Sequence, residues 1–213
     1  MLRSFSSRKV HAMVRGRPPR DRRKEILDIA GSLFLENGFQ GTSMSQIAVA
    51  LGGSKGTLYA YFNSKEELFE AYLHDLVQTE AASLVLPDHS EDLVSVLTAY
   101  GRRYLELLVS ESSVALMRIL YHEVARFPEI GRSFYDACIQ SGRTPLVNYL
   151  VRAGEADVLD VPDPEMAADQ FYSLCEAPIV MPLMLGMREE ADAEAINKAV
   201  DAAVAVFFRA YRR

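Results

Sequence analysis

The sequence predicts an all-α protein with a short helical domain near the N-terminus and a larger helical domain behind it. Three observations predict this fold. Apolar residues recur at helical spacing along most of the chain, the alternation typical of strands does not occur, and Gly and Pro residues divide the helical pattern into segments. With 213 residues, 49% of them hydrophobic and 24% charged, the chain has the length and composition of an ordinary globular protein that needs no disulfide or metal.

Two helices are predicted at the start of the first domain. A stripe of apolar residues begins after the basic N-terminal stretch and ends at Asn37–Gly38, a pair typical of a helix C-terminus. Ser43 and Gln46 have the spacing of a capping box, so a second, short helix is expected to begin at Met44. The apolar positions of these two helices are Ile26, Ile29, Ala30, Leu33 and Phe34, then Met44, Ile47, Ala48 and Leu51.

A third and a fourth helix complete the first domain. Gly52–Gly53 breaks the chain, Ser54 offers an oxygen that can cap a helix, and Lys55–Phe62 is just long enough for a third helix. Ser64 and Glu67 have the spacing of another capping box, which predicts the start of the fourth helix. The apolar positions of the fourth helix are Leu68, Phe69, Tyr72, Leu73 and Leu76.

Longer apolar stripes beyond Pro87 predict the larger domain. Six prolines divide the chain after residue 125 into further helices: Pro128, Pro145, Pro162, Pro164, Pro178 and Pro182. We therefore expect three regions, a flexible arm over 1–20, a small helical domain over 21–81 and a larger helical domain over 82–213.

Charge is distributed unevenly along the chain. Residues 1–24 contain nine Lys or Arg against the single acidic Asp21, a net charge of +8, whereas the whole chain carries −6. The paired prolines Pro18–Pro19 prevent a continuous helix there, so this stretch is predicted to be a flexible basic arm that can lie against phosphates. A solvated or targeting tail is the alternative, and Met13 is a second candidate start.

The cysteines and the apolar runs indicate a soluble protein of the cytoplasm. Cys138 and Cys175 are each flanked by apolar residues, so we interpret both as small core residues in a reducing compartment. No secretory signal is recognisable, and the longest apolar run, Ile179–Leu185, is too short to cross a bilayer. No membrane association is expected.

The sequence does not indicate an enzyme. The four histidines are scattered, and none has a second histidine or cysteine at ligand spacing, so neither a metal site nor a cofactor is expected. A glycine-rich phosphate loop and a nucleophile elbow are both missing from the sequence pattern.

The function is indicated by residues 43–62, which supply a short helix, a glycine turn and a second short helix, the order of a helix-turn-helix. Leu58 and Phe62 are spaced to face a core, which leaves the polar side chains of the third helix outside. Lys55 and Lys65 can neutralise phosphates, and Thr57 can contact a base edge. Four hydroxyl groups can donate to phosphate oxygens, unless they only cap helices or pack: Thr42, Ser43, Tyr59 and Tyr61.

The run from Gly38 to Leu68 resembles the DNA-binding domain of the TetR family of regulators. It reads Gly-Phe-x-x-Thr-Ser-Met-x-x-Ile-Ala-x-x-Leu-Gly-Gly-Ser-Lys-Gly-Thr-Leu-Tyr-x-Tyr-Phe-x-Ser-Lys-Glu-Glu-Leu, and departs from the family at Gly53, where a small apolar residue is more usual. The resemblance, over about residues 21–81, implies that the basic arm reaches adjacent DNA. It also implies that three residues hold the DNA backbone, Thr42, Tyr61 and Lys65, and that four lie along the groove, Ser54, Lys55, Thr57 and Tyr59.

Residues 116–135 resemble, more weakly, the C-terminal domain of AefR-type members of that family, some of which control efflux or quorum-linked genes. An apolar effector pocket is therefore expected among the middle helices, although Met and aromatic residues at helical spacing are more often core. The candidate lining residues are Met117, Tyr121, Phe127, Phe134, Tyr172, Met181 and Met184.

The resemblance also implies a homodimer held by the last two long helices, expected at about 164–185 and 189–211. One face of each helix is apolar, which suits a four-helix contact, and an ordinary intramolecular core is the alternative. The candidate dimer residues are Phe171, Leu174, Cys175, Ala199, Val200, Ala203 and Phe207.

These expectations combine into a sequence-specific regulator of transcription. A dimer binds an inverted-repeat operator on double-stranded DNA, and a small apolar or amphipathic effector releases the repressor. The alternative is an architectural DNA-binding or protein-interaction module without a small-molecule effector.

Overall fold

The protein, here a computed structural model, is described over residues 21–81, 84–87 and 92–213. The predicted basic arm over 1–20 lies outside the described residues. Eleven α-helices follow one another in the described chain: α1 Arg22–Gly41, α2 Met44–Ala50, α3 Lys55–Tyr59, α4 Lys65–Ala81, α5 Leu93–Leu108, α6 Glu111–Glu123, α7 Pro128–Phe134, α8 Ser141–Glu155, α9 Pro164–Glu176, α10 Val180–Met184 and α11 Ala193–Tyr211.

The all-α prediction is confirmed, and the described residues contain no strand beyond one isolated bridge between Leu159 and Arg212. A π-helical segment, Tyr135–Gln140, joins α7 to α8. None of the helices in the described part is long and apolar enough to span a membrane.

The starts of the first two helices follow from local hydrogen bonds. The Asp21 side chain accepts from two backbone N–H groups at the start of α1, and Gly38 interrupts that helix with a φ of 72°, a value that disfavours any residue with a Cβ. At α2 the Ser43–Gln46 capping box forms in both directions, as predicted. The two helices are thereby separated by a fixed turn.

The third helix is shorter than predicted, because it ends at Tyr59. Beyond it the backbone N–H groups of Tyr61 and Phe62 both donate to the carbonyl of Leu58. The predicted capping pair before α4 is formed in part. The backbone N–H of Glu67 donates to the Ser64 side-chain oxygen at 3.1 Å. Its carboxylate accepts instead from the preceding Asn63, through the backbone and the side-chain amide.

Aspartate and proline set the starts of the last long helices. Asp163 caps α9 and Pro164 occupies its first turn, where no N–H is needed. The predicted helix over 164–185 is in fact two helices, because Pro178 has no N–H to continue α9 into α10. Asp192 caps α11, which therefore begins four residues later than predicted.

Two hydrophobic cores organise the helices. The N-terminal core contains α1 to α4, and the buried faces of α6 and α7 contribute Leu116, Leu120 and Ile130 to it. The C-terminal core is formed mainly by α5, α8, α9 and α11. Helices α6 and α7 therefore pack on the small N-terminal unit, although they follow α5 in the chain.

Candidate DNA interface and effector region

Helix α3 presents a polar face to solvent because its apolar residues anchor it from behind. Leu58 and Phe62 are buried in the N-terminal core. Lys55 and Tyr59 are one helical turn apart and both are exposed, so they lie on the same outer face. Tyr61 is exposed beside them. A short, rigidly seated helix with an exposed cation and phenols is suited to enter a DNA groove.

Ser54 and Thr57 are occupied within the helix. The Ser54 hydroxyl oxygen accepts from the backbone N–H of Thr57 at 3.2 Å, and the two side-chain oxygens are also 3.2 Å apart. Ser54 remains exposed, whereas Thr57 is half-buried. Both therefore fix the start of α3 in addition to facing outward at its N-terminal end.

The Thr42 hydroxyl does not face the predicted DNA interface. Thr42 is one of the few buried polar residues, with 2% of its surface exposed, and its hydroxyl lies 3.0 Å from the carbonyl of Leu33 and 2.9 Å from that of Gly38. A threonine has a single hydroxyl hydrogen, which these carbonyls hold inside the protein. The predicted donation from the Thr42 hydroxyl to phosphate is not available in this structure, and its role is to fix the turn after α1.

Ser43 is exposed, but its hydroxyl is paired with Gln46. The hydroxyl donates to the Gln46 side-chain oxygen at 2.7 Å, and its oxygen accepts from the Gln46 backbone N–H at 3.3 Å. The side chain is thus a helix cap, the alternative considered for it from the sequence.

Lys65, the first residue of α4, packs against Phe39 of α1. Its Nζ donates to the carbonyl of Phe39 at 2.6 Å and lies 4.2 Å from the centre of the Phe39 ring. Burial lowers the pKa of its ammonium group from the ordinary 10.5. Since an ammonium group has three donors, Lys65 keeps hydrogens for a phosphate after holding Phe39.

A contact between the two halves of the molecule was not predicted. The Glu123 carboxylate at the end of α6 is 3% exposed and accepts from the Gln40 side-chain amide at 2.8 Å. Beside it the rings of Phe39 and Phe127 pack edge to face, with their centres 5.5 Å apart. The sequence contained a signal, because Glu123 continues the apolar face of Leu116 and Leu120 at helical spacing, where a charged residue is unusual.

The predicted effector residues lie in three different environments. Three of them pack against the N-terminal core, Met117, Phe127 and Phe134. Tyr172 belongs with the C-terminal core, and Met184 is half-buried. Tyr121 and Met181 are each 62% exposed. Apolar residues at helical spacing here mark two separate cores and a surface, which the sequence pattern cannot distinguish.

Tyr172 instead belongs to a polar cluster between α5 and α9. Its hydroxyl lies 2.6 Å from that of Tyr100, and its ring centre lies 4.5 Å from that of Tyr104. The Tyr104 hydroxyl donates to the Glu176 carboxylate. Burial raises the pKa values of Tyr100, Tyr104 and Glu176, and that of the neighbouring Cys175 thiol to about 12.

The prediction that these residues of α9 and α11 form the dimer contact is wrong. Six of the seven are buried in the C-terminal core of the single chain, and the seventh, Leu174, packs against that core. The six are Phe171, Cys175, Ala199, Val200, Ala203 and Phe207. They face the chain's own interior, so the intramolecular alternative applies to them, and the opposite face of α9 and α11 is the exposed one.

The fold and the exposed helix define a class of protein. An all-helical chain with an N-terminal helix-turn-helix and a larger helical domain behind it is a transcriptional regulator of the helix-turn-helix class. Residues 26–72 match the model of the bacterial regulatory proteins of the tetR family, and residues 95–213 match the AefR-like transcriptional repressor C-terminal domain. The chain belongs to the TetR family of transcriptional regulators and not to a family of enzymes.

Individual relatives agree with this assignment. The solved structure of the flavonoid-responsive regulator FrrA is 36% identical, with a TM-score of 0.78 over 90% of this chain and 97% of that one. A putative TetR-family regulator from Mesorhizobium loti has a TM-score of 0.80 over 93% of this chain and 100% of that one at 23% identity, a likeness of fold alone. The transcriptional repressor BdcR of Escherichia coli is 32% identical over 68% of this chain and 73% of its own length.

Proposed function

We propose that this chain is a homodimeric repressor that binds an inverted-repeat operator and is released by a small ligand. The observation that carries the proposal is the exposed face of α3, where Lys55 and Tyr59 project from a helix anchored by Leu58 and Phe62. Repressors are also common among the relatives by name. One such helix reads half a site, so a two-fold dimer reads an inverted repeat.

The exposed face of α9 and α11 supports the dimer. These helices contact each other, and their outward positions on α11 are small or apolar at Ala202, Ala205 and Val206. Met166 and Ser173 extend the same kind of surface along α9. Small residues on two adjacent helices allow close approach of the same two helices from a second copy, which gives a four-helix contact.

Ligand release has support from FrrA, whose name describes a response to flavonoids and which matches most of this chain. Release requires that the ligand and the operator favour different arrangements of one dimer. A ligand that binds both arrangements with equal affinity does not change the equilibrium between them.

Selection of bound fragments from a random DNA pool at physiological salt tests the proposal. We expect an inverted repeat to be enriched and to be preferred over other DNA by roughly a thousandfold or more. Lys55→Ala and Tyr59→Ala should weaken binding to that repeat, while Arg188→Ala, a change at an exposed arginine between α10 and α11, should leave it unchanged. Salt-sensitive binding without any enriched sequence would refute the operator and indicate an architectural protein.

A further inference from the structure

A groove of about 330 Å³ lies between residues 84–87 and the outer face of α5. Its wall is mostly apolar, and Arg103 and Ser95 supply its polar groups. This volume is at the lower end of the roughly 300–1,000 Å³ found for small-molecule sites. The apolar lining residues are Leu84, Val85, Pro87, Val96, Ala99 and Tyr100.

Tyr100 connects this groove to the polar cluster behind it. Its ring forms part of the groove wall, and its hydroxyl is 2.6 Å from that of Tyr172. Tyr172 packs on Tyr104, which donates to Glu176. A molecule in the groove therefore contacts Tyr100, which separates it from two further phenols and a carboxylate.

The cluster has hydrogen-bonding capacity beyond what it uses. Each phenol has one hydrogen to donate and two lone pairs, but the Tyr100–Tyr172 pair forms one bond between its two hydroxyls. Polar groups in a protein core are costly unless paired, and Phe and Leu at these positions would join α5 to α9 without that cost. Tilted, closely packed tyrosine rings with spare hydroxyl groups match a ligand that is itself flat, aromatic and hydroxylated.

We propose that the groove is the effector site, and that it binds a planar polyphenol whose ring lies against Tyr100 and whose hydroxyl joins the Tyr100–Tyr172 pair. This inference rests on the proposed function for its role as an inducer. The relative FrrA, 36% identical over 90% of this chain, is flavonoid-responsive by name, which agrees in ligand class. Nothing in that name places the ligand, which is assigned here by the groove and the tyrosines.

Calorimetry on the full chain tests the site with two probes, apigenin, a trihydroxylated flavone, and flavone itself, which has the same rings without hydroxyl groups. We expect apigenin to bind one molecule per chain and flavone to bind about tenfold or more weakly, the effect of one lost hydrogen bond in a buried site. Tyr172→Phe should weaken apigenin binding by about tenfold and leave flavone unchanged. Val96→Trp, which fills the groove, should remove both.

Tyr211→Phe is the matched control, because it deletes a phenol hydroxyl that bonds to Gln170 at the far end of α11. Equal affinity for the two flavones, or apigenin binding that survives both Tyr172→Phe and Val96→Trp, would overturn the site and leave the tyrosines as a structural link between α5 and α9. The same preparations are assayed on the selected operator without flavone. Intact operator binding with no apigenin binding refutes this inference alone, whereas absence of any operator refutes the proposed function.

Discussion

Thr42→Val is expected to weaken folding without changing how the protein contacts DNA. Valine has the same shape, so no cavity forms, but the hydroxyl that lies 2.9–3.0 Å from two carbonyls is lost. Leaving buried carbonyls without this partner costs about 1–3 kcal/mol. The free energy of unfolding should fall by that amount in urea titrations at one fixed chain concentration.

Two further variants make this prediction specific. Thr79→Val removes a hydroxyl with the same kind of bond, to the carbonyl of Asp75 at 2.8 Å, but on an exposed face, so it should change stability by less than about 0.5 kcal/mol. Lys55→Ala should reduce the salt dependence of operator binding by about 0.9 in the logarithmic slope, the value for one phosphate contact. If Thr42→Val instead weakened operator binding and left unfolding unchanged, the hydroxyl would be a phosphate donor and its buried role would be wrong.

Three other measurements address the rest of the molecule. Gln40→Leu and Glu123→Leu should each lower the free energy of unfolding, because removing one partner leaves the other buried polar group unpaired. The loss in the double variant should be smaller than the sum of the two single losses by about 1.5–3 kcal/mol. Strictly additive losses would show that the two residues are not coupled. Val206→Asp should shift the proposed dimer toward monomer in analytical ultracentrifugation, whereas Val94→Asp, at a residue that is equally exposed at 46%, should not. Identical behaviour of the two variants would show that α11 is not part of the interface. Burial raises the pKa of Glu176 above its ordinary 4.5, so the folded chain holds the carboxyl proton more tightly than the unfolded chain. The resulting stabilisation of the fold is complete below about pH 4.5 and is lost as pH rises through the folded-state pKa. Glu176→Gln should therefore lose less stability than the parent from acidic to neutral pH, and parallel curves would contradict the raised pKa.

Local rules were sufficient for the N-terminal helices. Gly38 and Gly52 both have positive φ, so the interruption of α1 at Gly38 and the end of α2 could be predicted from that preference of glycine. The capping box at Ser43 and Gln46 formed as its spacing requires. What local rules could not supply is where α3 ends, because the chain after Tyr59 is held by the burial of Phe62 rather than by helix propensity.

The contacts of the larger domain could not be predicted, for a different reason. An apolar stripe shows which face of a helix is buried, but not whether its own chain or a second copy covers it. Phe171 and Phe207 were assigned to a dimer on such stripes, and their rings instead pack against each other at 5.5 Å inside one chain. The polar residues Glu123 and Tyr104 mark the contact with Gln40 and the cluster with Glu176, which the apolar pattern did not indicate.

The arrangement of the two cores connects the groove of the proposed ligand to the DNA-binding unit. Helix α6 buries Leu116 and Leu120 in the N-terminal core, so it must move with the DNA-binding unit or disrupt that core. Only Val109 and Ser110 separate α6 from α5, the helix that carries the groove and Tyr100. A ligand that repositions α5 therefore displaces α6 through a two-residue connection. To lower operator affinity a hundredfold it must bind the displaced arrangement better by about 2.8 kcal/mol, within the 1–3 kcal/mol typical of coupling between sites.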